Sequence, residues 1–548
     1  MLSTMPDFPL TLRHIFEHGR DTYPGSRIVT LTADGYAEIT FADLAKRVGK
    51  LANALARAGV GPDDRVATFA WNNQEHQEAY FAVPCSGAVL HTVNIRLAPA
   101  DIEYIVNHAQ DRVLLLDAAL AANIAPALPN CPTLEKIVVF GEGDRSVLSV
   151  PFVEYEDFIA DEAEDFDWPD LDENSAAAMC YTSGTTGRPK GVVYSHRSTF
   201  IFTLGMASGE SLKMNYEDRV LPIVPMFHGN AWGLPYICWM VGADLYLPAT
   251  YAHAPRIART ITDEKITVAG AVPTVWWDVL NLGDDPDKAP YDLASLRMIL
   301  CGGSASPRSL IEAYQKKYGA TFAAGWGLTE THPIASLAFP PRDATPDEAL
   351  DYQATAGQVL AGVEVRIVDA EDQPLPRDGE SVGEIEVRGP WVTTSYYLDP
   401  AEDKFHDGWL RTGDVGTIDE RGYLRITDRA KDVVKSGGEW ISSLELESAL
   451  THHPDVKEVA VIASPDTRWG ERPLACVVLR EGSTVTPDEL REFLGDKVAK
   501  WWLPDLWTFI ENVPRTGVGK YDKKLLRDKL AQGGLDVATV GGRPSAKD

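Results

Sequence analysis

At 548 residues the chain is several times longer than a common single domain, so more than one folding unit is expected. Hydrophobic residues make up 45% and charged residues 24%, with no long biased tract, which excludes a disordered, collagen-like or membrane-embedded chain. Lysine and arginine number 51 against 80 aspartates and glutamates, and the net charge of −29 repels phosphate backbones and anionic lipid, so neither nucleic acid nor a membrane is an expected partner.

Residues 1–21 lack the basic start and unbroken apolar run of a signal peptide. No later stretch reaches the ~18 apolar residues of a membrane span, and a cytoplasmic protein is expected. Thr40 and Asp43 have the spacing of a capping box, and Leu44, Val48, Leu51 and Leu55 recur at intervals of four, three and four. A helix is predicted there, closed by Gly59 and Pro62. Short apolar strands such as 65–70 and 112–117 alternate with helical windows through roughly the first four hundred residues, the pattern of α/β sheets. The cysteines at 85, 131, 180, 238, 301 and 476 are scattered without a C-x-x-C pair, which fits buried, reduced thiols.

Beyond about residue 428 the units shrink, as in a separate α+β domain. Ser442 and Glu445 cap one predicted helix, strands follow near 459–463 and 474–479, and Thr486, Pro487 and Glu489 open another helix. The charged run 428–432, DRAKD, joins the two parts, giving domains 1–430 and 431–548. The adjacent His452 and His453 point about 100° apart on a helix and do not read as a metal site.

The most informative segment is 181–191, YTSGTTGRPKG, which follows the small apolar run 176–180. A strand leading into hydroxyls and glycines offers donors to phosphate oxygens, and Lys190 adds positive charge. It reads as a nucleotide phosphate loop through Thr182, Ser183, Gly184, Thr185, Thr186, Gly187 and Lys190. It is not the Walker loop, because Pro189 stands where the second glycine belongs and Gly191 follows the lysine.

This loop resembles the signature of the adenylate-forming superfamily, which includes acyl-CoA synthetases, luciferases and peptide-synthetase adenylation domains. Four further segments resemble that family's motifs in order: 325–331 (GWGLTET), 409–414 (WLRTGD), 428–438 (DRAKDVVKSGG) and 514–520 (PRTGVGK). The resemblance implies a large N-terminal domain of two α/β sheets plus a small β-barrel, and a smaller, mobile α+β C-terminal domain. It also implies ATP, Mg²⁺ and CoA as reactants. Glu330 is a hard oxygen ligand suited to Mg²⁺, with Thr185 beside the same ion. Trp326 offers a flat face to adenine between Gly325 and Gly327, with Thr329 following, and Gly302, Gly303 and Ser304 let the backbone approach the base. Asp414 accepts from the ribose hydroxyls, and Arg429 donates to sugar or phosphate.

By the same resemblance Lys520 is the cation that stabilises charge building on the α-phosphate. His228 contacts the acyl carboxylate, and Trp232, Gly303, His332 and Pro333 wall the acyl pocket. The hinge falls on Lys431 with Asp432 beside it, and Lys435, Ser436, Gly437, Gly438, Glu439 and Trp440 form the loop for thioester formation. Asp428 stands where glycine is usual. The expected reaction is ATP-dependent ligation of a small carboxylic acid to CoA through an acyl-adenylate. Within the family the chain resembles ligases of 3-methylmercaptopropionate and of medium-chain fatty acids; loading of a carrier protein is the alternative acceptor. A homodimer is expected from relatives.

Overall fold

The computed structural model describes residues 1, 3–182, 188–282, 291–369, 371–429, 431–436, 439–495, 497–515 and 521–540, the side chains of Glu439 and Trp440 excepted. The local signals become the expected elements. Helix Phe41–Arg57 starts where the Thr40 hydroxyl accepts from the Asp43 N–H at 3.1 Å, and its periodic Leu44, Val48, Leu51 and Leu55 are all buried. Ser442 caps helix Ser443–Thr451 through the Glu445 N–H, and Thr486 with Glu489 closes a reciprocal capping box on helix Pro487–Leu494. All six cysteines are buried and unpaired.

Two large sheets carry the N-terminal part. One has seven strands in the order Val153–Glu154, Lys136–Phe140, Asp111–Asp117, Arg65–Phe69, Val89–Thr92, Ala176–Thr182, Lys190–Ser195. It is parallel except for the last pair. The other has nine, in the order Gln358–Val359, Ser336–Ala338, Thr321–Trp326, Met298–Gly302, Val268–Ala271, Arg219–Pro222, Asp244–Leu247, Arg27–Leu31, Tyr36–Thr40. Its six central strands are parallel and its edges antiparallel. Parallel strands buried on both faces explain why segments such as Val268–Ala271 are apolar throughout rather than alternating. The small barrel of the sequence reading is a curled sheet of five strands, Glu364–Val368, Gly383–Arg388, Trp409–Ile418, Phe405–His406 and Leu424–Arg429.

By compactness the chain forms one unit of Met1–Val365, Val387–Leu410 and Arg421–Leu424, and a second of Arg366–Glu386, Arg411–Glu420 and Arg425–Asp548. The second holds a six-stranded sheet centred on the long antiparallel pair Val456–Asp466 and Gly470–Leu479. Helices Ser443–Thr451 and Pro487–Leu494 cover one face through Leu446, Leu450, Leu490 and Leu494, which pack with Val459, Val461 and Trp507. Helix Lys523–Ala531 packs Leu526 with Ile462 and Cys476. No helix of the described residues is long and apolar enough to cross a membrane.

Candidate active site

Strand Ala176–Thr182 pairs antiparallel with Lys190–Ser195, Thr182 opposite Lys190, so a strand and not a helix follows the Gly/Thr-rich segment. This is a different setting from that of a Walker loop. Ser183, Gly184, Thr185, Thr186 and Gly187 lie outside the described residues. The Lys190 ammonium is 2.9 Å from the Asp399 carboxylate and 4.9 Å from the centre of the Tyr396 ring.

Parallel strands collect their functional loops at their C-terminal ends. Met298–Gly302 and Thr321–Trp326 run parallel with Gly302 opposite Gly325. A Cβ on Gly302 would stand 2.9 Å from the Gly325 carbonyl oxygen and 3.4 Å from the Trp232 indole, so glycine is required there. A Cβ on Gly270, at the end of the neighbouring strand, would be 3.7 Å from the same indole. Trp232 therefore lies across two strand ends whose side chains are absent. Gly303 adopts φ 83° and is exposed with Ser304. Trp326 ends its strand half-buried; a Cβ on Gly327 would meet the Pro333 carbonyl oxygen at 1.9 Å, and the Thr329 carbonyl accepts from the Tyr194 hydroxyl at 2.7 Å.

The Trp232 segment has a backbone that the sequence does not announce. Asn230, Ala231 and Trp232 all have positive φ, at 48°, 48° and 57°. Left-handed geometry costs roughly 1–2 kcal/mol per non-glycine residue. The segment is held by Asn230, which is buried and whose Oδ1 accepts from Thr92 Oγ1 at 3.3 Å and Cys180 Sγ at 3.2 Å. His228, half-buried, directly precedes this turn. His332 is buried against Tyr194 and Phe202, with ring centres 4.0 and 5.0 Å apart, and burial pushes its imidazole down to about 3, so it is neutral. Its Nδ1 has no hydrogen-bond partner among the described residues. Pro333 faces Gly229, where a Cβ would stand 3.1 Å from its ring. The structure thus brings Trp232, Gly302, His332 and Pro333 into one neighbourhood at the strand ends.

Glu330, in a short helical turn, is half-buried. Its Oε1 accepts from the Tyr396 hydroxyl at 2.6 Å, and burial together with this carboxylate raises the phenol's pKa. Magnesium in nucleotide sites is held by one or two carboxylates together with phosphate oxygens and water, so a partly exposed carboxylate fits it. Tyr396 was not among the residues expected from sequence. Tyr396→Phe is expected to raise the Mg²⁺ concentration for half-maximal adenylation about fivefold, as loss of one hydrogen bond of ~1 kcal/mol implies. A Mg²⁺ titration of acid-dependent ATP–pyrophosphate exchange measures this, and an unshifted midpoint would remove the hydroxyl's role.

In the second unit Asp414, 2% exposed, forms an ion pair with Arg429 at 2.5 Å. The residue expected at the ribose and the one expected at sugar or phosphate are thus joined directly. Asp428 is buried and accepts from the Arg429 and Ser443 N–H groups at 2.7 and 2.5 Å, uses that a glycine cannot replace. Lys431 is exposed, and Asp432 pairs with Arg527 at 2.6 Å. The Lys435 N–H donates to Glu471, and the Ser436 hydroxyl accepts from Arg472 at 3.2 Å. Gly437, Gly438 and Lys520 lie outside the described residues, and Glu439 and Trp440 are placed only as backbone in strand Glu439–Ile441. Of the lysines that follow Lys520, Lys523 is committed elsewhere: its ammonium is 2.7 Å from Glu447 and 2.6 Å from the Ser443 hydroxyl.

Residues 16–397 match the AMP-binding enzyme family, and residues 445–520 match the AMP-binding enzyme C-terminal domain. The chain belongs to the AMP-binding enzymes and is an AMP-forming acid–thiol ligase that uses ATP, Mg²⁺ and CoA. It is 40% identical to the 3-methylmercaptopropionyl-CoA ligase of Ruegeria pomeroyi, over 97% of this chain and 99% of that one. To the medium-chain-fatty-acid–CoA ligase of Ectopseudomonas oleovorans it is also 40% identical, over 96% and 97%. Among solved structures it is similar to the anthranilate CoA ligase AuaEII in complex with anthranoyl-AMP, with TM-score 0.84 and 28% identity over 96% and 99% of the two chains.

Proposed function

We propose that this ligase activates a short or medium-chain acid, 3-methylmercaptopropionate foremost, for transfer to CoA. The observation that supports a small apolar substrate is the Trp232 indole lying against Gly270 and Gly302, an aromatic wall over two positions without side chains. Likeness to a 3-methylmercaptopropionyl-CoA ligase over nearly the whole chain supports the particular acid. A medium-chain fatty acid is the second reading, favoured by an equal identity to a ligase of that class.

A carboxylate is a poor acyl donor because oxide is a poor leaving group. In the first step its oxygen attacks the α-phosphorus of ATP, the bond to the bridging oxygen breaks, and pyrophosphate leaves with that electron pair. Bound Mg²⁺ supplies positive charge to the phosphate oxygens. Lys520 stabilises the negative charge that grows on the α-phosphate, and Glu330, steadied by Tyr396, holds the metal. The neutral, buried His332 and Pro333 shape the apolar surroundings and help exclude water from the adenylate. In the second step the thiol sulfur attacks the acyl carbon, the thiol proton is lost, and AMP departs.

Substrate preference is expected to be graded, because an apolar pocket separates acids differing by one methylene by only about 1–3 kcal/mol. A thioether is close to a methylene in size, and sulfur against an indole adds roughly 0.3–1.5 kcal/mol. Wild-type kcat/KM for 3-methylmercaptopropionate is therefore expected to equal or exceed those for pentanoate and hexanoate, an advantage that shrinks in Trp232→Ala. Long-chain or aromatic acids winning by tenfold would refute the substrate and leave the ligase untouched. CoA-dependent release of AMP without any carrier protein distinguishes the two acceptor readings.

A further inference from the structure

Residues 183–187 are all serine, threonine or glycine and carry no bulk with which to anchor themselves. The frame for phosphate therefore depends on the larger residues on either side. Two of these, Tyr181 and Arg188, rest on one helix, Pro99–Ala109. The Tyr181 hydroxyl lies 2.7 Å from His108 Nδ1. The Arg188 guanidinium lies 4.8 Å from the centre of the Tyr104 ring. Tyr104 and His108 share a helix face, with ring centres 5.3 Å apart.

The rest of the frame meets at the same histidine. Tyr181 is paired with Gly191, and its ring covers that glycine: a Cβ there would stand 3.1 Å from the ring. The His91 ring lies 5.0 Å from the Tyr181 ring, centre to centre. His91 Nδ1 is itself 2.8 Å from Asp111, and both side chains are fully buried. The Gly191 carbonyl accepts from the Tyr397 N–H at 2.7 Å, and the Tyr397 ring meets His108 edge to face at 5.6 Å and 86°. Asp399, two residues further on, is the partner of Lys190. His108 thus touches the strand before the small residues and the segment that backs the strand after them. Tyr181 is buried in an apolar core, whereas His108 is half-buried, so core filling does not account for its place.

We propose that His108 is a positioning residue for adenylation. Through the Tyr181 hydroxyl and the Tyr397 ring it sets the frame in which Thr182 and Lys190 meet the phosphates that leave as pyrophosphate. It touches no reactant itself. A group in such a site acts only when well placed, and a misplacement of about 1 Å can cost on the order of a hundredfold in rate. The acyl-adenylate has lost the pyrophosphate end, so the second half-reaction makes no use of this frame. The inference rests on Thr182 and Lys190 being phosphate ligands.

The test sets acid-dependent ATP–pyrophosphate exchange by the full-length enzyme, with hexanoate and with 3-methylmercaptopropionate, beside CoA consumption from the synthetic acyl-adenylate. The variants are His108→Ala, His108→Gln, Tyr181→Phe and the double variant His108→Ala/Tyr181→Phe. In exchange, kcat/KM for ATP is expected to fall about tenfold to a hundredfold in His108→Ala and about fivefold in Tyr181→Phe, which loses one hydrogen bond. His108→Gln is expected to recover part of the loss. KM for the acid and the rate of thioester formation are expected to change by less than about twofold, since neither depends on the pyrophosphate end. Because the two residues act through one contact, the double variant is expected to fall no further than His108→Ala. Unchanged exchange in the single variants overturns the proposal. So do equal losses in both half-reactions, which mark a structural role, and losses that multiply in the double variant. Should His108→Ala fail to fold, Tyr181→Phe carries the same comparison of half-reactions. Lys190→Ala separates the two readings. If it leaves exchange intact, the phosphate assignment falls and the positioning role with it; if it impairs exchange while the His108 variants do not, only the positioning role falls.

Discussion

Lys520→Ala is expected to lower adenylation a thousandfold or more while thioester formation from supplied acyl-adenylate keeps most of its rate. Charge accumulates on the α-phosphate oxygens only during attack by the carboxylate, so a cation placed there stabilises that transition state more than the bound substrates. Loss of one such donor costs about a hundredfold to a thousandfold in other enzymes, and a full charge is worth more than a neutral donor. The second step has no phosphoryl transfer and no such demand. The check is separate measurement of acid-dependent pyrophosphate exchange and of CoA consumption from synthetic acyl-adenylate. Equal losses in both would show that Lys520 serves the site as a whole. Lys523→Ala makes the contrast, because Lys523 is tied to Glu447 and Ser443 inside its own unit. Its loss leaves the buried Glu447 without its cation and is expected to lower stability more than chemistry.

Glu330→Gln is expected to cut the adenylation rate on the order of a hundredfold and to raise the Mg²⁺ requirement, with ATP still binding more weakly. The substitution keeps the shape of the side chain and an acceptor for the Tyr396 hydroxyl, so the change isolates the charge. Tyr396→Phe, by contrast, removes the hydroxyl and leaves the charge. If Glu330 holds the metal, the first variant changes both rate and metal dependence, and the second shifts mainly the metal midpoint. Unaltered turnover and metal titration in Glu330→Gln would mean that the ion is held elsewhere.

Features that depend on a few neighbouring residues were readable from the chain. The caps at Thr40, Ser442 and Thr486 join groups three residues apart, and the buried stripe of helix Phe41–Arg57 follows from its spacing. The motif order likewise pointed to the family without any coordinates. Tyr396 was missed because it reaches Glu330 across 66 residues, in a segment that reads as an ordinary turn. Asn230 was missed for the same reason: its partner Thr92 is 138 residues away, and a lone asparagine next to glycine resembles any loop. Nor does alternation of strands and helices reveal strand order. The strand Arg27–Leu31 ends up beside Asp244–Leu247, a pairing decided by crossover packing and not by neighbours in sequence.

The sequence by itself therefore determined the chemistry this protein is built for and the local elements that carry it, since caps, periodicity and motif residues act over one or two turns of chain. Only the tertiary structure decided which groups meet. It set the indole of Trp232 across Gly270 and Gly302, gave Glu330 its tyrosine, joined Asp414 to Arg429 and committed Lys523 to Glu447. The physical reason is distance along the chain: such contacts form when sheets and helices pack to bury apolar surface, and their energies belong to the assembled core rather than to any one segment.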